Sequence, residues 1–140
     1  VALAAKLKIK DNIVTKYENI LSQVMNDVSH GKLDDAEKKC LTLLEMFPND
    51  TVSKFYLGNI YLSKGEFDKA IKLYEQILAL QPDNLNVRYN LAIAYLRQQR
   101  YNEAEQQLSF ILSKQPNNQL VQQQLNQIRT VKNLQFGSTH

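Results

Sequence analysis

Three prolines, Pro48, Pro82 and Pro116, punctuate the chain at intervals of 34 residues, and there are no others. Each opens a similar phrase: Phe47-Pro48-Asn49-Asp50, Gln81-Pro82-Asp83-Asn84 and Gln115-Pro116-Asn117-Asn118. A proline ring cannot continue a helical hydrogen-bond ladder, and a following Asn or Asp can accept from the open N–H groups of the next helix. Each phrase therefore predicts a joint between two helices. Equal spacing of the joints predicts like units placed in series.

The segments between the joints agree residue by residue. Leu57 aligns with Leu91, Gly58 with Ala92, Tyr61 with Tyr95, Phe67 with Tyr101, Ala70 with Ala104, Ile77 with Ile111 and Leu78 with Leu112. Their apolar positions recur at helical spacing in two stretches per segment, separated by Ser63-Lys64-Gly65-Glu66 or Gln98-Gln99-Arg100. A link that short makes the two helices antiparallel neighbours, so each segment is a helical hairpin. With only 4 Gly, 44% hydrophobic and 22% charged residues in 140, the chain has the composition of one globular helical domain.

A 34-residue helix–turn–helix unit is similar to the tetratricopeptide repeat. Segment 51–84 carries that pattern as Leu57, Gly58, Tyr61, Gly65, Phe67, Ala70, Tyr74 and Pro82. Segment 85–118 carries Leu91, Ala92, Tyr95, Tyr101, Ala104 and Pro116, with Gln99 in place of the turn glycine and Leu108 in place of the second aromatic. The segment 17–50 is atypical, with Gly31, Leu33, Asp34, Ala36 and Pro48 matching, Cys40 at the later aromatic position, and a first-helix stripe of Ile20, Leu21, Val24, Met25 and Val28 displaced by about one residue. Residues 119–133 read as a capping helix with Leu120, Val121, Leu125, Ile128 and Val131 on its apolar side, followed by a flexible tail over 134–140. Residues 1–16 are either a helical extension or the start of the first helix. The resemblance implies an all-α, right-handed superhelical solenoid of antiparallel hairpins.

It also implies a concave groove lined by the first helix of each unit. Carried over by position, the groove residues are Phe55, Tyr56 and Asn59, with Val52 and Leu62 beside them, then Tyr89, Asn90, Ile93 and Arg97 with Asn86, then Gln123 and Gln127 with Gln124 and Val131. Amides can donate to and accept from an extended backbone, and tyrosine offers an apolar face with a polar tip. The expected function is non-catalytic binding of a peptide segment or partner helix, as adaptor or scaffold. Asn59 and Asn90 can equally serve as interhelix hydrogen bonders, whereas Tyr61, Tyr74, Tyr95, Phe67 and Tyr101 are expected in the core. Two other roles stay open: self-assembly through residues 1–16 or through Leu134 to Phe136, and a secretion-type chaperone. Relatives that clamp an acidic C-terminal carboxylate use Lys, Arg and Asn, but the matching positions hold Leu21 and Met25 (or Ser22 and Asn26), Tyr56, Asn86 and Asn90. Without a cation there, the groove should prefer neutral or weakly acidic segments.

Other classes of function find little support. Lys and Arg total 17 against 14 Asp and Glu, and the excess is C-terminal: residues 85–140 hold 6 basic and 2 acidic side chains, spread from Arg88 to Lys132 rather than clustered as a nucleic-acid footprint. His30, Cys40 and His140 are too far apart for a short-range metal signature, and no cofactor or small-molecule substrate is expected. No nucleophile–base constellation or glycine-rich phosphate loop is present, so no catalysis is expected. A lone Cys40 suits a reducing compartment such as the cytoplasm, while Val1-Ala-Leu-Ala-Ala before Lys6, Lys8 and Lys10 is either a helix start or the end of an upstream membrane anchor.

Overall fold

Every joint and turn expected from the 34-residue spacing has a matching backbone conformation in the computed structural model, which describes residues 1–137. Phe47, Gln81 and Gln115, each preceding a proline, have φ of −135°, −132° and −132° and ψ of 83°, 70° and 73°. The proline ring excludes helical geometry from the residue before it, so each helix must stop there. Asp50 then accepts from the Val52 and Ser53 N–H groups at 3.3 Å, Asn84 from Val87 at 3.2 Å and Asn118 from Val121 at 3.2 Å. Each such cap stabilises the following helix by roughly 1 kcal/mol. Arg88 Nε donates to the Pro82 carbonyl at 2.9 Å, and Gln122 Nε2 to the Pro116 carbonyl at 2.7 Å.

The turns inside the hairpins repeat as well. Gly31, Gly65 and Gln99 all take positive φ, at 73°, 78° and 58°. Glycine adopts this left-handed conformation freely, whereas a side chain there costs about 1 kcal/mol. Gln99 thus performs a glycine's task under strain.

By contacts the chain divides into residues 1–64 and 65–140. The first unit holds α1 (Ala2–Ser29), α2 (Leu33–Met46) and α3 (Thr51–Ser63), with α1 packed on α2 and α2 on α3. Val24, Ala36, Cys40, Leu43, Leu57 and Ile60 are buried. The stripe expected on α1 is only partly inside: Val24 is fully buried, but Met25 is 50% and Val28 38% exposed. Asp27 turns inward instead, at the position of Tyr61 and Tyr95 in the later repeats, and Lys39 on α2 pairs with its carboxylate at 2.5 Å. A charged group is tolerated there because its partner reaches it from the facing helix and still touches water. Lys64 bridges Asp34 at 2.8 Å and Glu37 at 3.3 Å, tying the end of α3 to α2. At 28 residues, α1 is twice the length of the 14-residue α2, and its N-terminal half leaves Leu3, Leu7, Ile9, Ile13 and Val14 exposed.

The second unit holds α4 (Phe67–Leu80), α5 (Leu85–Arg97), α6 (Tyr101–Lys114) and α7 (Gln119–Gly137), each packed on the next. Ala70, Ala92, Ala94 and Ala104 are fully buried, and these small side chains bring neighbouring helices close. Tyr74, Ile77, Leu91, Leu108 and Ile111 fill the space between them, and Val121, Leu125 and Ile128 close it from α7. Among the aromatics expected in the core, Tyr74 and Tyr95 are buried, but Phe67 and Tyr101 are half-buried, as is Tyr61 in the first unit. Phe67 and Tyr101 are the first residues of α4 and α6, where no preceding helical turn covers them. α7 continues past residue 133 to Gly137, because Lys132, Leu134 and Gln135 sustain a helix and no breaker intervenes. Residues 138–140 of the expected tail lie outside the described residues. No strand occurs among the described residues.

Candidate functional site

In the second unit, α5 and α7 present equivalent positions 34 residues apart: Tyr89 with Gln123, Asn90 with Gln124, Ile93 with Gln127 and Arg97 with Val131. Gln124 Nε2 donates to the Tyr89 hydroxyl at 2.9 Å, linking the two helices directly. Tyr89 is therefore half-buried rather than open, with its polar tip engaged. Asn90 is half-buried too, and its side chain hydrogen-bonds the Tyr74 hydroxyl. Burial pushes the Tyr74 phenol well above its ordinary range, the Asn90 bond opposing that shift. The interhelix bond open to Asn90 is thus formed within the fold.

Around this pair the surface is polar. Gln123, Gln127 and Arg97 are exposed, Ile93 is half-buried, and the Arg97 guanidinium lies 5.8 Å from the Phe67 ring. The Gln124 Oε1 atom is buried and has no hydrogen-bond partner among the described residues. A buried acceptor left unmade costs about 1–3 kcal/mol. The pairs Tyr89–Gln124 and Asn90–Tyr74 depend on which helix faces meet, and no local signal in the sequence announces them.

In the first unit, Phe55, Tyr56 and Asn59 are all half-buried on α3. The Phe55 and Tyr56 rings meet edge to face, with centroids 6.2 Å apart and planes at 70°. Val52 is 43% exposed at the start of the same helix.

A feature not expected from the sequence is a groove of about 810 Å³ between the N-terminal half of α1 and the α2–α3 joint. Its inner end is fixed by Tyr17, which packs edge-on against Phe47 at 5.6 Å and donates to Asp50 Oδ2 at 2.7 Å. Burial, then the Asp50 carboxylate, pushes the Tyr17 phenol up to about 12. Asp50 also accepts from the Ser53 hydroxyl at 2.5 Å, so its oxygens are engaged within the fold. One wall comes from Ile9, Ile13 and Val14 on α1, and the second from Met46, Phe47 and Pro48, far along the chain.

Reactive chemistry is sparse. Cys40 is fully buried, and burial followed by the Glu37 charge pushes its thiol up to about 12, so little thiolate forms at neutral pH. No group of three or more metal-ligating side chains occurs among the described residues. No described helix is long and apolar enough to cross a membrane.

Comparison with known proteins agrees with the repeat. A tetratricopeptide repeat family model matches residues 61–128, and a second, described as YpiA-like, tetratricopeptide repeats, matches residues 22–81. No curated protein sequence matches the chain. Among solved structures, the type III secretion translocator chaperone SycD of Yersinia enterocolitica superposes with a TM-score of 0.76 at 23% identity, covering 82% of this chain and 84% of that one. The first tetratricopeptide domain of Spaghetti (RPAP3), bound to the HSP90 peptide SRMEEVD, superposes with 0.76 at 19% identity over 84% of this chain and 93% of that one. MamA from Desulfovibrio magneticus RS-1 gives 0.77 at 17% identity over 84% and 66%. At such identities the likeness establishes the fold alone. Seven helices among the described residues, on a 34-residue period, with family matches that together run from residue 22 to 128, make this chain a tetratricopeptide-repeat protein of three repeats and a capping helix.

Proposed function

We propose that this protein is a non-catalytic protein-binding module that holds a peptide segment or partner helix against the first helices of its repeats. The observation that carries this reading is the face of α5 and α7, where Gln123, Gln127 and Arg97 are exposed and the Tyr89 hydroxyl and Gln124 amide tie the two helices together. The exposed amides of Gln123 and Gln127 can donate to and accept from a peptide backbone and so set its register. Ile93 and the Tyr89 ring supply apolar area. Phe55, Tyr56 and Asn59 on α3 offer the same mixture of aromatic and amide. Peptide complexes are known for fold neighbours, SycD with a peptide of the translocator YopD and the Spaghetti domain with an HSP90 peptide, which supports peptide holding as a use of this architecture.

No lysine or arginine stands at Tyr56, Asn86 or Asn90, so an acidic C-terminal carboxylate is not the ligand this face suits. The test places a photo-crosslinking residue at Gln127 on α7 or at Ser109 on α6, both exposed, in the intact protein within its native extract. The reading expects one protein to attach through position 127 and not through 109, and Arg97→Ala with Gln127→Ala to weaken its binding about tenfold. Equal attachment at both positions, or unchanged affinity in the double variant, would remove the α5–α7 face from consideration.

A further inference from the structure

The N-terminal half of α1 is the least covered part of the described structure. Leu3, Leu7, Ile9, Ile13 and Val14 are 71%, 54%, 59%, 43% and 45% exposed. Isolated exposed apolar side chains are ordinary, but a contiguous set beside a concavity marks an interaction surface. Here Ile9, Ile13 and Val14 face Met46, Phe47 and Pro48 across the 810 Å³ groove, and Leu3 and Leu7 carry the apolar strip further along the helix axis. The C-terminal half of α1 already receives a helix, α2. The N-terminal half offers a second seat of the same kind.

Charge specifies what the seat takes. Residues 1–16 hold Lys6, Lys8, Lys10 and Lys16 against Asp11 alone, and Lys6 and Lys10 border the groove. The carboxylate on the opposite rim, Asp50, is consumed by the Tyr17 and Ser53 hydroxyls and by two backbone N–H groups. The rim therefore carries a net positive charge, Lys6 and Lys10 against Asp50, around an apolar floor. We propose that this groove is a docking site for an amphipathic helix of a partner protein whose apolar face is bordered by Asp and Glu. A second copy of the chain fits poorly, since its own α1 brings the same lysines against these. A lipid surface fits a protruding face, whereas these side chains form one wall of a concave seat. This site is separate from the α5–α7 face and stands or falls independently of it.

The test is panning of a displayed library of helical peptides, with their surface positions randomised, against the intact 140-residue protein. The expected winners carry Leu or Ile at helical spacing flanked by Asp and Glu. Their binding should fall about tenfold in Lys6→Glu/Lys10→Glu and about tenfold in Ile13→Ser, with the helical circular dichroism unchanged because these side chains are exposed. Retained binding to the Gln127→Ala variant assigns the peptides to α1, and its loss overturns that assignment. Selection of neutral or basic peptides would overturn the proposal, as would indifference to both α1 variants. So would attachment of the protein through these residues to phosphatidylcholine–phosphatidylserine vesicles, or concentration-dependent dimerisation that Ile13→Ser abolishes.

Discussion

The first hairpin, α1–α2, and the third, α5–α6, are built on the same joints and turns yet seal their interiors with different chemistry. Where the third has Leu108, the first has Cys40, and both are at most 1% exposed. Where the third has Tyr95, whose hydroxyl donates to Glu75 at 3.2 Å and whose ring lies 4.7 Å from the Arg100 guanidinium, the first has Asp27 paired with Lys39. The backbone period thus sets where a side chain must go inside, and several side chains meet the demand. What differs in consequence is the surface left over: the third hairpin covers its helices along their length, whereas the first leaves half of α1 bare.

The widest separation between the two hairpins should come from their cores. Leu108→Ala removes branched aliphatic volume from a packed site and should cost about 2–5 kcal/mol, while Cys40→Ala removes one sulfur and should cost on the order of 1 kcal/mol. Urea unfolding of the two variants checks this. Equal costs would mean that the first hairpin is packed as tightly as the third, and the comparison would fail.

The turns give a smaller effect with opposite signs. Gly31→Ala in the first hairpin should lose about 1–2 kcal/mol through its positive φ alone, since no atom lies within 4 Å of the added methyl position. Gln99→Gly in the third should gain about 1 kcal/mol by releasing the same strain. Thermal unfolding should therefore move the two variants apart, and a loss at Gln99→Gly would show that its side chain makes up for the backbone.

Smallest is a pH effect at one residue of the first unit, Tyr17. The Tyr17 phenol is held at about 12 against an ordinary 10.0, so its neutral, donating form is the one the fold favours. That contribution is whole below pH 10 and is lost as pH rises through about 12. Tyr17→Phe should flatten this part of the alkaline unfolding curve, and an ultraviolet titration should lose one late-ionising phenol. An unchanged titration would mean that Tyr17 is not the group held back.

Much of the fold was legible because proline, the caps at Asp50, Asn84 and Asn118, and the turn positions 31, 65 and 99 act on their own neighbours, and local effects repeat when sequence repeats. Less of the site was legible, because Tyr89 meets Gln124 and Asn90 meets Tyr74 through helix faces that only tertiary packing brings together. Asp27 reads as a surface residue until Lys39 is seen opposite it, and Met25 and Val28 read as core although they face solvent. The wall that Met46, Phe47 and Pro48 raise beside α1 likewise required the hairpin to close first.

The hold of Arg88 and Gln122 on the carbonyls of Pro82 and Pro116 has a bearing on what kinds of change the chain can absorb. One grips with a guanidinium and the other with an amide, so the identity of the clasp is negotiable. Its reach is not: an extra residue slipped between proline and clasp would throw both the cap and the clasp out of line in one step. The molecule is in this respect written in metre more than in vocabulary, forgiving of a changed letter and intolerant of a changed count.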